Sequence, residues 1–145
     1  MRHIVDGSNL LGALGLARES DESKRQLVRM LAAFARAKRC RVDCVFDGAR
    51  PDGFATSFGG LSVKFSHPRS GDDLVERLVA GDSAPCVVVT SDRALGSRLR
   101  SRRVTVQACA EFRPALERAA QAGEQENPQS GDWEAYFSDP KNRNV

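Results

Sequence analysis

Apolar residues along this chain follow two alternating rhythms. Short strand-like runs are separated by stretches in which apolar positions recur every three or four residues. Ile4-Val5 is the first short run, closed by Asp6-Gly7-Ser8-Asn9. From Asp21 to Lys38, Leu27, Leu31 and Phe34 return at helical spacing among Lys24, Arg25, Arg29 and Arg36, which predicts an amphipathic helix capped by Asp21 or Ser23. Val42–Phe46 predicts a strand ending at Asp47-Gly48, followed by a Gly-, Pro- and Ser-rich loop from Ala49 to Gly60. Leu61–Phe65 alternates apolar and polar, as in a strand with one exposed face near a sheet edge. Ser70-Gly71-Asp72-Asp73 opens a helix carrying Leu74, Val75, Leu78 and Val79. Cys86–Val89 is the most apolar strand and terminates in Thr90-Ser91-Asp92. A short helix over Ala94–Arg100, a strand over Val104–Val106 and a helix over Ala110–Ala122 complete the pattern.

Strands alternating with helices imply an α/β domain with a parallel sheet, right-handed crossovers and helices on both faces. Ligands of such sheets bind outside the carboxyl ends of the strands. Gly123 to Gly131 is polar and reads as a linker, giving one domain over residues 1–122 and a polar tail over 123–145. The tail holds the only Trp and Tyr, in Asp132-Trp133-Glu134-Ala135-Tyr136-Phe137; packing back on the domain is the plain expectation, a partner-binding motif the alternative.

Three aspartates follow apolar strands directly: Asp6, Asp47 and Asp92. In a parallel sheet all three meet at one edge, and the helix opening at Asp72 and Asp73 returns over it. Converging carboxylates repel one another unless a cation joins them, and hard oxygen donors suit Mg²⁺ or Mn²⁺. Singly, each of these residues is also an ordinary turn or N-cap residue. Asn9 and Ser91 stand where they either cap a helix or orient the neighbouring acids. Glu76 shares a helical face with Asp72 and Asp73, and a salt bridge to an arginine is its simpler role. His67 sits in a Ser-His-Pro loop and reads as solvated.

In this order, Ile4–Leu11 (IVDGSNLL), Val45–Gly48 (VFDG), Val63–Ser66 leading to Gly71–Glu76 (GDDLVE), and Val88–Arg93 (VVTSDR) resemble the YacP type of NYN domain, a branch of the PIN-like nucleases. The resemblance spans roughly residues 3–113. It implies a three-layer α/β/α PIN-like fold around a mainly parallel sheet, Mg²⁺ or Mn²⁺ as cofactor, and endoribonuclease activity on single-stranded RNA. A bacterial member acts on messenger RNA in association with ribosomes, so mRNA on the ribosome is the implied partner. By motif, Asp6, Asp72 and Asp92 match acidic site positions and Asn9 the polar residue after the first, which gives the expected catalytic set. The implied metal ligands are Asp6, Asp47, Asp72, Asp73 and Asp92, with Asp47 at a more variable position and Asp73 either a ligand or a cap. The chain departs in Ser8, where an aromatic residue is common, in Gly71, where Ala is usual, and in a compact 49–60 region.

The net charge of +3 hides an asymmetry: residues 121–145 carry five acids against two bases, so the first 120 residues carry +6. Arg93, Arg98, Arg100, Arg102 and Arg103 follow the third acidic strand end, and Lys38, Arg39 and Arg41 close the long helix. Arginine forks match phosphate geometry, so these groups, Lys38 and Arg39 among them, are the expected RNA-binding set. Phe54 and Phe58 are the candidates for base stacking. Cys40, Cys44, Cys86 and Cys109 form no C-x-x-C pair and read as reduced structural thiols. No apolar run approaches the roughly 20 residues of a membrane span, and a cytoplasmic protein is expected. A Rossmann or P-loop binder is disfavoured, because Gly7 to Gly15 lacks both glycine fingerprints. A receiver-like domain would want a lysine after Val104-Thr105-Val106, and an aspartyl phosphatase a second Asp at position 8. A catalytically inactive RNA- or ribosome-binding module of the same fold is the non-enzymatic alternative.

Overall fold

The computed structural model describes residues 1–126, with backbone alone for 123–126. In chain order the elements are β1 (Arg2–Asp6), α1 (Gly7–Ala13), α2 (Asp21–Lys38), β2 (Arg41–Phe46), β3 (Ser57–Phe58), β4 (Leu61–Phe65), α3 (Gly71–Ala80), β5 (Cys86–Val89), α4 (Arg93–Leu99), β6 (Val104–Gln107) and α5 (Cys109–Glu126). The described residues form a six-stranded sheet in the order β3-β4-β2-β1-β5-β6, with every pair parallel except β3 and β4. After β1 the chain builds β2 and β4 on one side, then crosses to build β5 and β6 on the other. The switch point therefore lies beside β1, where a binding crevice opens in sheets of this kind.

Side-chain alternation explains the three layers. Val5, Cys44, Phe46, Val63 and Val89 point to one face, where they pack with Leu10, Leu27, Leu31, Phe34, Phe112 and Leu116 of α1, α2 and α5. Their neighbours Ile4, Val45 and Val88 point to the other and meet Val75, Val79, Leu95 and Leu99 of α3 and α4. On that second face β2 also carries Asp43, which is buried between Arg2 at 2.7 Å and Lys64 at 3.3 Å. All four cysteines are free.

The cap of α2 is Ser20, whose Oγ accepts from the Ser23 amide at 3.1 Å, rather than Asp21 or Ser23. Asp21 and Glu22 instead supply charge to the first turn, complementing the helix dipole. The 49–60 loop is not all irregular: β3 pairs with β4, so β4 is covered at its outer side. That return turns Phe54 and Phe58 into the core, at 1% and 8% exposure. They pack rather than stack on bases, and Phe54 meets Phe46 and Phe65 edge-on. The last helix runs on through Gly123 to Glu126, four residues into the expected linker, since Glu124, Gln125 and Glu126 are good helix formers. The rest of the tail, with its Trp and Tyr, lies outside the described residues.

Candidate active site

Asp6 ends β1 and caps α1, its Oδ1 accepting from the Asn9 amide at 3.2 Å. Its Oδ2 accepts from the buried Thr90 hydroxyl at 3.1 Å. Thr90 Oγ1 accepts in turn from the Asp92 amide, also at 3.1 Å, and Asp92 Oδ1 caps α4 by accepting from Leu95 N. Asn9 Oδ1 takes the Ser91 amide at 2.6 Å, while Ser91 Oγ takes the Cys109 amide at 3.1 Å. The ends of β1 and β5 and the start of α5 are thus fixed to one another by neutral side chains that bind backbone N–H groups.

On the other side of β1 the same device recurs. Ser8 Oγ accepts from the Asp47 amide at 3.0 Å, and Ser66 Oγ accepts from the Gly48 amide at 3.2 Å. Asp47 then reaches across to α3: its Oδ1 accepts from the Gly71 amide at 2.9 Å. The space a Cβ at position 71 would need is filled by that carboxylate, which accounts for glycine there. Asp72 follows directly, in the first turn of α3.

The electrostatics bear the mark of crowded acids. Burial pushes the Asp6 carboxyl up to about 6; hydrogen bonds from Asn9 and Thr90 oppose the rise, and the charges of Asp72 and Asp47 add to it. Asp72 is also raised, first by burial and then by Asp92, with Arg98 opposing and Asp47 adding. Asp6, Asp47, Asp72 and Asp92 therefore share one electrostatic environment at the carboxyl edge, beside the switch point.

Over residues 3–142 the chain matches the model of the YacP-like NYN domain. It belongs to the YacP-like NYN domain family. Two crystal structures of Rae1 (YacP) from Bacillus subtilis share its architecture. One, a mutant form, is 20% identical and matches with a TM-score of 0.69 over 92% of this chain and 88% of that one. The other is 18% identical, with a TM-score of 0.69 over 94% and 87% of the two chains. No curated protein matches the chain. The mixed α/β architecture with its mainly parallel sheet is the PIN-like fold of this family.

Within this NYN domain the remaining candidate residues separate into groups. Asp73 is exposed, and its carboxylate faces Arg69 at 3.7 Å rather than the other acids. It does not cap α3 either, because Ser70 does, accepting from the Asp73 amide at 3.1 Å. Glu76 pairs with Arg98 at 2.7 Å, and Arg98 is held charged by Glu76, with Asp72 and Asp92 contributing. His67 is exposed. Arg93, at the first turn of α4, adjoins Asp92.

Lys38, Arg39, Arg100, Arg102 and Arg103 lie elsewhere. The parallel strands start level with one another, at Arg2, Arg41, Leu61, Cys86 and Val104. Residues just before Arg41 and Val104 therefore sit at the amino edge, opposite the acids. Sequence adjacency to Asp92 misleads here because α4 carries the chain back across the sheet. Arg103 is further committed to the Val79 and Asp82 carbonyls, at 3.3 and 2.9 Å.

Sequence reasoning missed Thr90, Ser8 and Ser66 as organisers of the site. Their partners lie 84, 39 and 18 residues away, so no local pattern announces them. A small hydroxyl directly after an apolar strand was the one available signal.

The donor set fits a hard divalent cation: carboxylate oxygens only, with two of the carboxyls raised by burial and by neighbouring acids. Among the described residues no three such side chains are already closed around a common point.

Proposed function

We propose that this chain is a Mg²⁺- or Mn²⁺-dependent endoribonuclease that hydrolyses phosphodiester bonds of single-stranded RNA, with mRNA on the ribosome as its substrate. The observation that carries this reading is the convergence of Asp6, Asp47, Asp72 and Asp92 on the carboxyl edge beside the switch point. Family membership supports RNA as the substrate. The cytoplasmic setting is consistent with four free cysteines and with the absence, among the described residues, of a helix long and apolar enough to cross a membrane.

Asp6, Asp72 and Asp92 would hold the cation, with Asp47 in reach of the same space. When bound, the ion supplies Lewis-acid stabilisation of the charge that builds on the phosphate. The chain's own residues do the positioning. Thr90 orients Asp6 through its Oδ2 and fixes the Asp92 backbone through the same hydroxyl. Asn9, with Oδ1 engaged by Ser91, acts as a positioning residue for the Ser91-Asp92 turn. Arg93 adjoins the same edge and is the guanidinium offered to a phosphate oxygen of the strand, while Arg98, beside Asp72 and Asp92, is paired with Glu76.

The test offers structured and unstructured RNAs, free and ribosome-bound, to the wild-type protein with Mg²⁺, Mn²⁺ or a chelator. Cation-dependent internal cleavage of unstructured RNA is expected, enhanced on ribosome-bound mRNA. Binding to RNA or ribosomes without cleavage under any of these conditions would instead identify a non-catalytic module.

A further inference from the structure

A groove of about 320 Å³ runs between α3 and α4 away from the acidic edge. Its lining includes Glu76 and Val79 from α3, Arg98 and Leu99 from α4, and Arg100 and Arg103 beyond it. Its mouth adjoins the site: Glu76 is four residues along α3 from Asp72, and Arg98 six residues past Asp92, roughly 6 and 9 Å at helical rise. Arg98 marks the junction, since it senses Asp72 and Asp92 and also lines the groove.

The chemistry of the lining changes along its length. At the mouth, Glu76 and Arg98 neutralise each other. Val79 and Leu99 line the groove but are packed into the core, at 6% and 9% exposure. At the far end Arg103 is held by the Val79 and Asp82 carbonyls, neutral groups that fix the guanidinium without cancelling its charge. Arg100 is exposed there and stands in none of the ion pairs among the described residues. Two guanidinium groups that no carboxylate cancels and a volume suited to a single nucleotide occur together, in a groove whose mouth adjoins the acidic centre.

We propose that this groove is a nucleotide subsite for the RNA strand flanking the cleaved bond, with its phosphate on Arg100 and Arg103. The inference rests on the ribonuclease reading and extends it. Arginines that do not face the acids thereby gain a role: they hold the strand one or two nucleotides from the centre, where they add affinity and length preference.

The test compares a trinucleotide with a longer unstructured RNA, in cleavage with Mn²⁺ and in binding with the cation removed by a chelator, where hydrolysis does not compete. The wild type is expected to favour the longer strand, and Arg100→Glu to remove that advantage by raising KM and Kd for it about tenfold. Ser101→Glu, which places a negative charge in the same lining, is expected to act alike. Arg100→Lys should recover most of the loss, and the salt dependence of long-strand binding should drop by about one phosphate contact in Arg100→Glu. Arg118→Glu, the same charge change at an exposed position of α5, controls for net charge. Equal effects of Arg100→Glu on both lengths, or none on either, overturn the subsite. So does a free mononucleotide that occupies the groove while length preference persists. Cleavage that is indifferent to Arg100 sinks the subsite alone. Arg100-dependent binding without cleavage sinks the ribonuclease reading alone, and no RNA binding at all sinks both.

Discussion

Asp47 Oδ1 accepts a hydrogen bond from the Gly71 amide at 2.9 Å and occupies the place where a Cβ at position 71 would lie. The end of β2 and the start of α3 are joined by that contact, one residue before Asp72. Gly71→Ala is therefore expected to push Asp47 aside and disturb Asp72. Stability should change by less than about 1 kcal/mol, because alanine suits a helix better than glycine. Cleavage should fall about ten- to a hundredfold through misplaced carboxylates. Thermal unfolding and single-turnover rates separate the two effects, and undiminished cleavage would remove Asp47 from the site.

Thr90 serves Asp6 and Asp92 with one hydroxyl. Thr90→Val leaves the Asp92 N–H without its acceptor, a loss of about 1–3 kcal/mol. It also removes a hydrogen bond that holds the Asp6 carboxyl down, so that carboxyl rises further. The acid limb of the pH–rate profile should move to higher pH in Thr90→Val and stay in place in Thr90→Ser. An unmoved limb in both would confine Thr90 to a packing role.

The Asp6 carboxyl stands near 6 in the folded protein against an ordinary 3.8, with burial as the main cause. Between about pH 4 and pH 6 the folded chain keeps a proton that the unfolded chain has lost, so this group's contribution to stability falls as pH rises through that window and is level above it. Asp6→Asn keeps the N-cap and removes the charge. It should be more stable than the wild type by about 1–3 kcal/mol near neutral pH, with the gap closing toward about pH 4. Burial also holds the His3 imidazole below its usual range, but His3 titrates in both proteins and cancels in the difference. Denaturant midpoints across pH give the answer; a less stable Asp6→Asn at neutral pH would contradict the account.

Much of this arrangement could be read along the chain, and the parts that could not share one cause. Asp6, Asp47 and Asp92 announce themselves because each follows an apolar strand, and parallel pairing sends them to one edge. Four motifs in order pointed to the family that the match over residues 3–142 shows. What the sequence hides is direction and long-range partnership. Arg100, Arg102 and Arg103 are near Asp92 in number, yet a seven-residue helix carries them to the opposite edge. Phe54 and Phe58 sit among glycines, yet the short β3 pairing folds them inward. Asp73 adjoins Asp72, but one helical step turns it toward Arg69.

The second helical face of the sheet contains a charge that no motif signals. Asp43 is buried against Arg2, with Lys64 on its other oxygen. Asp43→Ala leaves the Arg2 guanidinium, only 12% exposed, without its principal partner. A loss of about 3–5 kcal/mol is expected, read as a lowered midpoint in urea. A change under about 1 kcal/mol would show that water replaces the carboxylate at no cost.

The central claim is that Asp6 and Asp72 belong to one cation-dependent hydrolytic centre. Its most direct test is the single-turnover cleavage of an unstructured RNA by the wild type, Asp6→Asn and Asp72→Asn, each checked for intact folding, in Mn²⁺ and in chelator. The account predicts Mn²⁺-dependent cleavage by the wild type and a loss of at least about a hundredfold in each variant. Equal rates in all three proteins, or a wild-type rate untouched by the chelator, would contradict it.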